Sequence, residues 1–278
     1  MDIELYDTTL RDGAQQEGIS LSAEDKIRIT LKLDDLGVHY IEGGWPGSNP
    51  KDVEYFQKVK SLSLSNAKIA AFGSTRRADI KAGDDANIKA LLAAETPVVT
   101  LVGKSSDLHV RRVLETTLEE NLNMIMDSIA FLKDEGRTVF FDAEHFFDGF
   151  RSNQDYATKS IRCAMDAGAD CLVLCDTNGG FITSDIYNIV SSIYADLGTQ
   201  IGIHCHNDAD MAVANTIAAV TAGAKHVQGT LNGYGERCGN ANLLSIIANL
   251  KIKLGINCVS DEQLVRITDA SRYVSEIV

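Results

Sequence analysis

Residues 167–175 read Ala167-Gly168-Ala169-Asp170-Cys171-Leu172-Val173-Leu174-Cys175. A glycine closes a helical pattern, and an unbroken apolar run begins three residues later. Glycine tolerates the left-handed conformation that stops a helix, and an apolar run without alternation suits a strand covered on both faces. The same phrase recurs at Leu36-Gly37-Val38 and at Ala222-Gly223-Ala224, each shortly before another strand-like run. These are repeated helix-to-strand units.

Strand patterns lie at 3–9, 40–46, 67–72, 97–102, 138–142, 171–175, 200–204 and 226–231. Helical patterns separate them, among others at 52–61, 114–133, 156–167, 184–195, 211–222 and 241–254. The first helix starts at Ser22, with Asp25 at the capping-box position, and ends near Gly37. Eight alternating units of apolar strands predict an α/β chain folded as a (β/α)8 TIM barrel over 1–258, with an open doubly wound sheet as the alternative. Residues 259–278 carry Leu264, Ile267, Ala270, Val274 and Ile277 at helical spacing. They read as the start of a C-terminal helical linker, with accessory and regulatory domains absent from the sequence.

The 278 residues include 45% hydrophobic residues and only 3 prolines, enough for a large core in an ordered chain. A net charge of −13 leaves no sequence-wide basic surface for nucleic acid or an anionic membrane, so small-molecule partners are expected. No stretch approaches the roughly 20 apolar residues of a membrane-spanning helix, and the opening Met1-Asp-Ile-Glu lacks signal-peptide character, which predicts a cytoplasmic protein. Six cysteines without a Cys-x-x-Cys pair read as buried, reduced thiols.

In a barrel of this kind the chemistry gathers at the C-terminal ends of the strands, where side chains from alternate strands share a layer. His204 and His206 stand two apart at the end of the seventh strand and project from one face, with Cys205 on the other. Asp12 follows the first strand, and Asp142 and Glu144 end the fifth. All belong to odd-numbered strands, which predicts a His2Asp metal site with open positions suited to Mg2+, Mn2+, Co2+, Zn2+ or Fe2+. Asp12 could instead form a structural pair with Arg11. Arg11 itself can hold a carbonyl oxygen that becomes an alkoxide. Glu144 and His145 lie in an acidic, aromatic stretch suited to acid–base work, or simply cap a strand end. The segment Asn232-Gly-Tyr-Gly-Glu236-Arg237-Cys-Gly239-Asn240 is glycine-rich but lacks the βαβ context of a dinucleotide fingerprint.

Three motifs now stand in order: Asp7-Thr-Thr-Leu-Arg-Asp-Gly13, His204-x-His206-Asn-Asp and Asn232-Gly-Tyr-Gly-Glu-Arg-x-Gly-Asn240. Together they resemble the metal-dependent family of isopropylmalate, homocitrate and citramalate synthases and hydroxymethylglutaryl-CoA lyase. The stretches 43–52 and 140–149 most resemble its citramalate synthase branch. The resemblance implies condensation of acetyl-CoA with pyruvate to citramalate, for isoleucine and other branched-chain precursors. A synthase using another 2-keto acid, or a lyase or aldolase, is the alternative. It also implies a divalent metal, Mn2+ or Mg2+ first and Zn2+ or Co2+ next, on Asp12, His204, His206 and Asn240, and a homodimer. Arg11 and Glu144 are the implied catalytic residues, and Arg11, Asp142 and Thr177 the substrate-binding ones. Lys104, Arg111 and Arg112 are candidate partners for the CoA phosphates, or exposed helix charges.

Overall fold

The computed structural model describes residues 3–278. Strands β1 (Glu4–Asp7), β2 (Tyr40–Gly44), β3 (Lys68–Ser74), β4 (Val98–Lys104), β5 (Thr138–Glu144), β6 (Cys171–Asp176), β7 (Ile201–Cys205) and β8 (His226–Gly229) are parallel. They pair in chain order and close, β1 lying between β2 and β8, so the sheet is a barrel and not an open one. Helices α1 (Ala23–Leu36), α2 (Pro50–Val59), α3 (Ala86–Ala93), α4 (Asp107–Arg112), α5 (Leu118–Asp134), α6 (Phe146–Ser152), α7 (Gln154–Asp166), α8 (Thr183–Leu197), α9 (Ala212–Thr221), α10 (Leu243–Ala248), α11 (Asp261–Leu264) and α12 (Ile267–Ser275) run between and after the strands.

The local signals read from the sequence recur in the structure. Ser22 and Asp25 form a reciprocal capping box at the start of α1, and Gly37 takes φ 86° to end it. Gly168 and Gly223 likewise sit at φ 94° and 119°.

Two helical expectations differ. The helix expected at 114–133 starts later: Glu115 turns left-handed at φ 52°, and α5 begins behind Thr117, whose hydroxyl accepts from the Glu120 amide. Helix α10 begins only after Asn242, whose side chain accepts from the Leu244 amide, and it widens into a π turn over Asn249–Lys253. Helices α3, α4 and α6 were not anticipated.

The core has two shells. Ile41, Val99, Leu101, Phe141, Leu172, Leu174, Ile203 and Val227 face the helices. Tyr6, Ala70, Val98, Phe140, Cys171, Val173 and Cys175 fill the barrel interior, with Tyr40 packed against them. Tyr40, Phe140 and His226 stack there with centroids 4.8–5.8 Å apart, and close the N-terminal end. Cys171, Cys175, Cys205 and Cys258 are buried free thiols, whereas Cys238 is exposed on the glycine-rich loop.

Residues of the final segment pack on α1. Ala270 and Val274 are buried, Lys32 pairs with Asp269, and Arg266 with Asp35. Among the described residues no helix is long and apolar enough to cross a membrane.

Helix α6 lies so close to the end of β4 that a Cβ on Gly149 would stand 2.4 Å from the Ser105 carbonyl oxygen. Backbone cannot yield as a flexible side chain does. Gly149→Ala is expected to lose about 1–3 kcal/mol of stability, read as a lowered thermal midpoint.

Candidate metal centre and active-site cleft

A cleft of about 740 Å³ opens at the C-terminal ends of the strands. Arg11, Asp12, Asp142, Glu144, Thr177, His204 and His206 all line it. Parity explains the gathering: residues 142 and 144 on β5, 204 and 206 at β7 and 228 on β8 alternate inward.

Asp12, on the turn after β1, is 2% exposed, and His204 and His206 are each 5% exposed. His204 Nε2 lies 3.4 Å and His206 Nε2 3.9 Å from Asp12 Oδ2. One donor atom from each of the three residues falls within 4.8 Å of the other two. Bonds of about 2.0–2.2 Å to one cation require donors this close. Asp12 Oδ1 and Asn240 Oδ1 are buried without a hydrogen-bond partner, so acceptors are left over for an ion. The donor set therefore fits a divalent cation. Asn240 comes from the glycine-rich loop, pairs with His206 across an isolated bridge, and lines an adjoining cleft.

Burial opposes charge on Asp12, but the Arg11 guanidinium and His204 outweigh it and hold the carboxyl well below the usual range. His206, buried and beside His204, is pushed down to about 3, which keeps its ring neutral. His204 is likewise opposed by burial, yet its bond to Asp12 raises it. Asp142 is pushed up to about 7 by burial and then by Glu42.

Arg11 does pair with Asp12, at 3.2 Å, but that is one of three restraints. Its Nε donates to Glu42 Oε2 at 2.5 Å, and its guanidinium lies 3.8 Å from the centroid of the Phe72 ring. Glu42 on β2 is fully buried and also accepts from the Tyr6 hydroxyl at 2.6 Å and from the Thr8 hydroxyl. Gln228 on β8 bridges Asp142 and His204. Glu42, Phe72 and Gln228 were missed in the sequence. For Glu42 and Gln228 a signal existed, a polar side chain inside an otherwise apolar strand.

Glu144 pairs with Lys104, and Thr177 Oγ1 accepts from the His145 amide at 2.8 Å. Of the three candidate phosphate partners only Lys104 lines the cleft; Arg76 and Arg77 line it instead of Arg111 and Arg112.

A family model described as HMGL-like matches residues 2–274. The chain belongs to the HMGL-like family. This HMGL-like chain is 55% identical over 275 residues to an (R)-citramalate synthase of Geobacter sulfurreducens, covering 99% of the chain and 52% of that protein. An (R)-citramalate synthase of Aquifex aeolicus matches to the same extent. A 2-isopropylmalate synthase of Sulfolobus acidocaldarius is 36% identical over 276 residues, with 99% and 68% covered. The chain thus spans about half the length of the citramalate synthases it matches. A crystal structure of an HMG-CoA lyase of Bacillus subtilis superposes with a TM-score of 0.82 at 19% identity, covering 99% of this chain and 93% of that one, which shows the shared barrel.

Asp142 gives a pH test. Below the ordinary aspartate range both folded and unfolded states are protonated, and the group contributes nothing. From there up to about 7 the unfolded state ionises while buried Asp142 stays neutral, so the wild type loses stability, and above 7 the loss is constant. In metal-free protein the thermal midpoint of Asp142→Asn relative to wild type is expected to rise between about pH 4 and 7 and then level off. Asp7, also pushed to about 7, is present in both proteins and cancels.

Proposed function

We propose that this barrel carries the condensation of acetyl-CoA with pyruvate, giving citramalate and free CoA. What carries the reading is a cleft holding Arg11, Asp12, His204 and His206 in a chain far more similar to (R)-citramalate synthases than to 2-isopropylmalate synthases.

On this reading Asp12, His204 and His206, with Asn240 beside them, hold a divalent cation, Mn2+ or Mg2+ in first place. When bound, such an ion supplies Lewis-acid polarisation of the keto acid's oxygens. Arg11 is fixed through Nε and Nη1, and its Nη2 has no partner among the described residues. That group can donate to the keto oxygen as it gains negative charge. Thr177 spends a lone pair on the His145 amide and keeps its own proton for the keto-acid carboxylate. Glu144, steered by Lys104, takes a proton from the acetyl methyl group. The methyl carbon then bonds to the ketone carbon of pyruvate, and the ketone oxygen takes up a proton, balancing the one Glu144 removed, to become the hydroxyl. Water cleaves the thioester to a carboxylate and the CoA thiol, releasing one proton. The protein acts as a homodimer on this reading.

The test is release of CoA thiol from acetyl-CoA with a panel of 2-keto acids, before and after chelation and with Mn2+ or Mg2+ restored. Metal-dependent release with pyruvate preferred is expected. Arg11→Gln should lower kcat/KM by about 10²–10³-fold, and Glu144→Gln should lower kcat by about 10²–10⁴-fold. Absence both of thiol release and of metal-dependent pyruvate binding would overturn the assignment.

A further inference from the structure

Gln228 is fully buried on β8, between the barrel's aromatic floor and the cleft. Its Nε2 donates to Asp142 Oδ1 at 3.0 Å, and its Oε1 lies 2.9 Å from His204 Nδ1. A side-chain amide donates only through nitrogen and accepts only through oxygen, and a carboxylate only accepts. With the Gln228 nitrogen donating to Asp142, its oxygen has one role left toward His204. His204 Nδ1 must carry the hydrogen, and the free lone pair falls on Nε2. That is the nitrogen that faces Asp12.

We propose that Gln228 is a positioning residue: anchored by Asp142, it locks His204 in the Nδ1–H tautomer and aims Nε2 at a divalent cation. The inference rests on the metal-centre reading above. The restraint is specific to one imidazole, since His206 Nδ1 is buried without a partner. The three residues come from β5, β8 and β7, so the chain of bonds also ties separate strands to the geometry of one ligand. Such outer partners of a ligating histidine fix its ring and raise its basicity.

The test uses Co2+ as the probe at pH 8, with calorimetry for affinity and proton NMR of the Co2+ complex for imidazole N–H exchange. Wild type is expected to bind one ion and to show a slowly exchanging, shifted N–H from His204. Gln228→Leu keeps the volume and removes both bonds, and should bind about 10–100-fold more weakly and lose that signal to exchange, with an unchanged far-ultraviolet circular dichroism spectrum. Gln228→Glu alone sets two carboxylates against each other and should also bind weakly. Combining it with Asp142→Asn supplies an amide donor at 142 and a carboxylate acceptor at 228, which restores the chain and should recover affinity and signal together. The proposal is overturned if Gln228→Leu binds like wild type with the N–H retained. It is equally overturned if the double variant is no better than Gln228→Glu, a comparison that holds even if Gln228→Leu does not fold. Wild type that fails to bind Co2+ would instead sink the metal centre itself.

Discussion

The ion pair between the fully buried Glu42 and Arg11 is the constraint on which the upper half of the barrel depends. A carboxylate with no solvent access is tolerated only when its lone pairs are filled, and here a tyrosine hydroxyl, a threonine hydroxyl and a guanidinium fill them. Removing the guanidinium would leave the Glu42 carboxylate stranded, which typically costs about 3–5 kcal/mol. The pair holds the turn after β1 against β2, and with it Asp12. Phe72, on the neighbouring strand, covers the guanidinium face and confines its remaining donors to the edge.

Polarity is graded along the barrel axis by the two-residue period of the strands. Tyr40, Phe140 and His226 form an aromatic floor, and Glu42, Thr100, Asp142 and Gln228 lie above it. On β7 the histidines stand at 204 and 206, two and four residues beyond Gly202, which pairs with His226 of the floor. Each step of two residues moves a side chain one layer closer to solvent without changing the face it occupies. Within the middle layer Glu42 restrains Arg11, and Gln228 restrains His204.

The barrel and the His2Asp cluster were legible because their signals are local: glycine after a helix, an apolar run, two histidines two apart. Parity then carried Asp12, Asp142 and Glu144 to the same end of the barrel. Glu42 and Gln228 were not legible as partners, because each acts across strands 31 or 24 residues distant in sequence. Strand spacing gives a layer but not which neighbours touch. The start of α5 was placed four residues early, at 114, although Thr117 followed by Glu120 was a readable cap. The phosphate partners were assigned by charge alone, and charge on α4 says nothing about which way that short helix faces.

The 3-10 turn after β8 is hydrogen-bonded to the last helix through Asn232. Asn232 is left-handed at φ 58°; its Nδ2 donates to the Ser271 carbonyl at 3.0 Å, and its Oδ1 accepts from the Ser271 hydroxyl at 2.6 Å. Eight residues further along that same loop stands Asn240, against the second histidine. Helix α12 and the loop are therefore mechanically geared. A rotation of α12 on α1 must either break both bonds or turn the root of the loop with it, so force applied to the outer rim of the barrel has a short, stiff lever reaching its mouth.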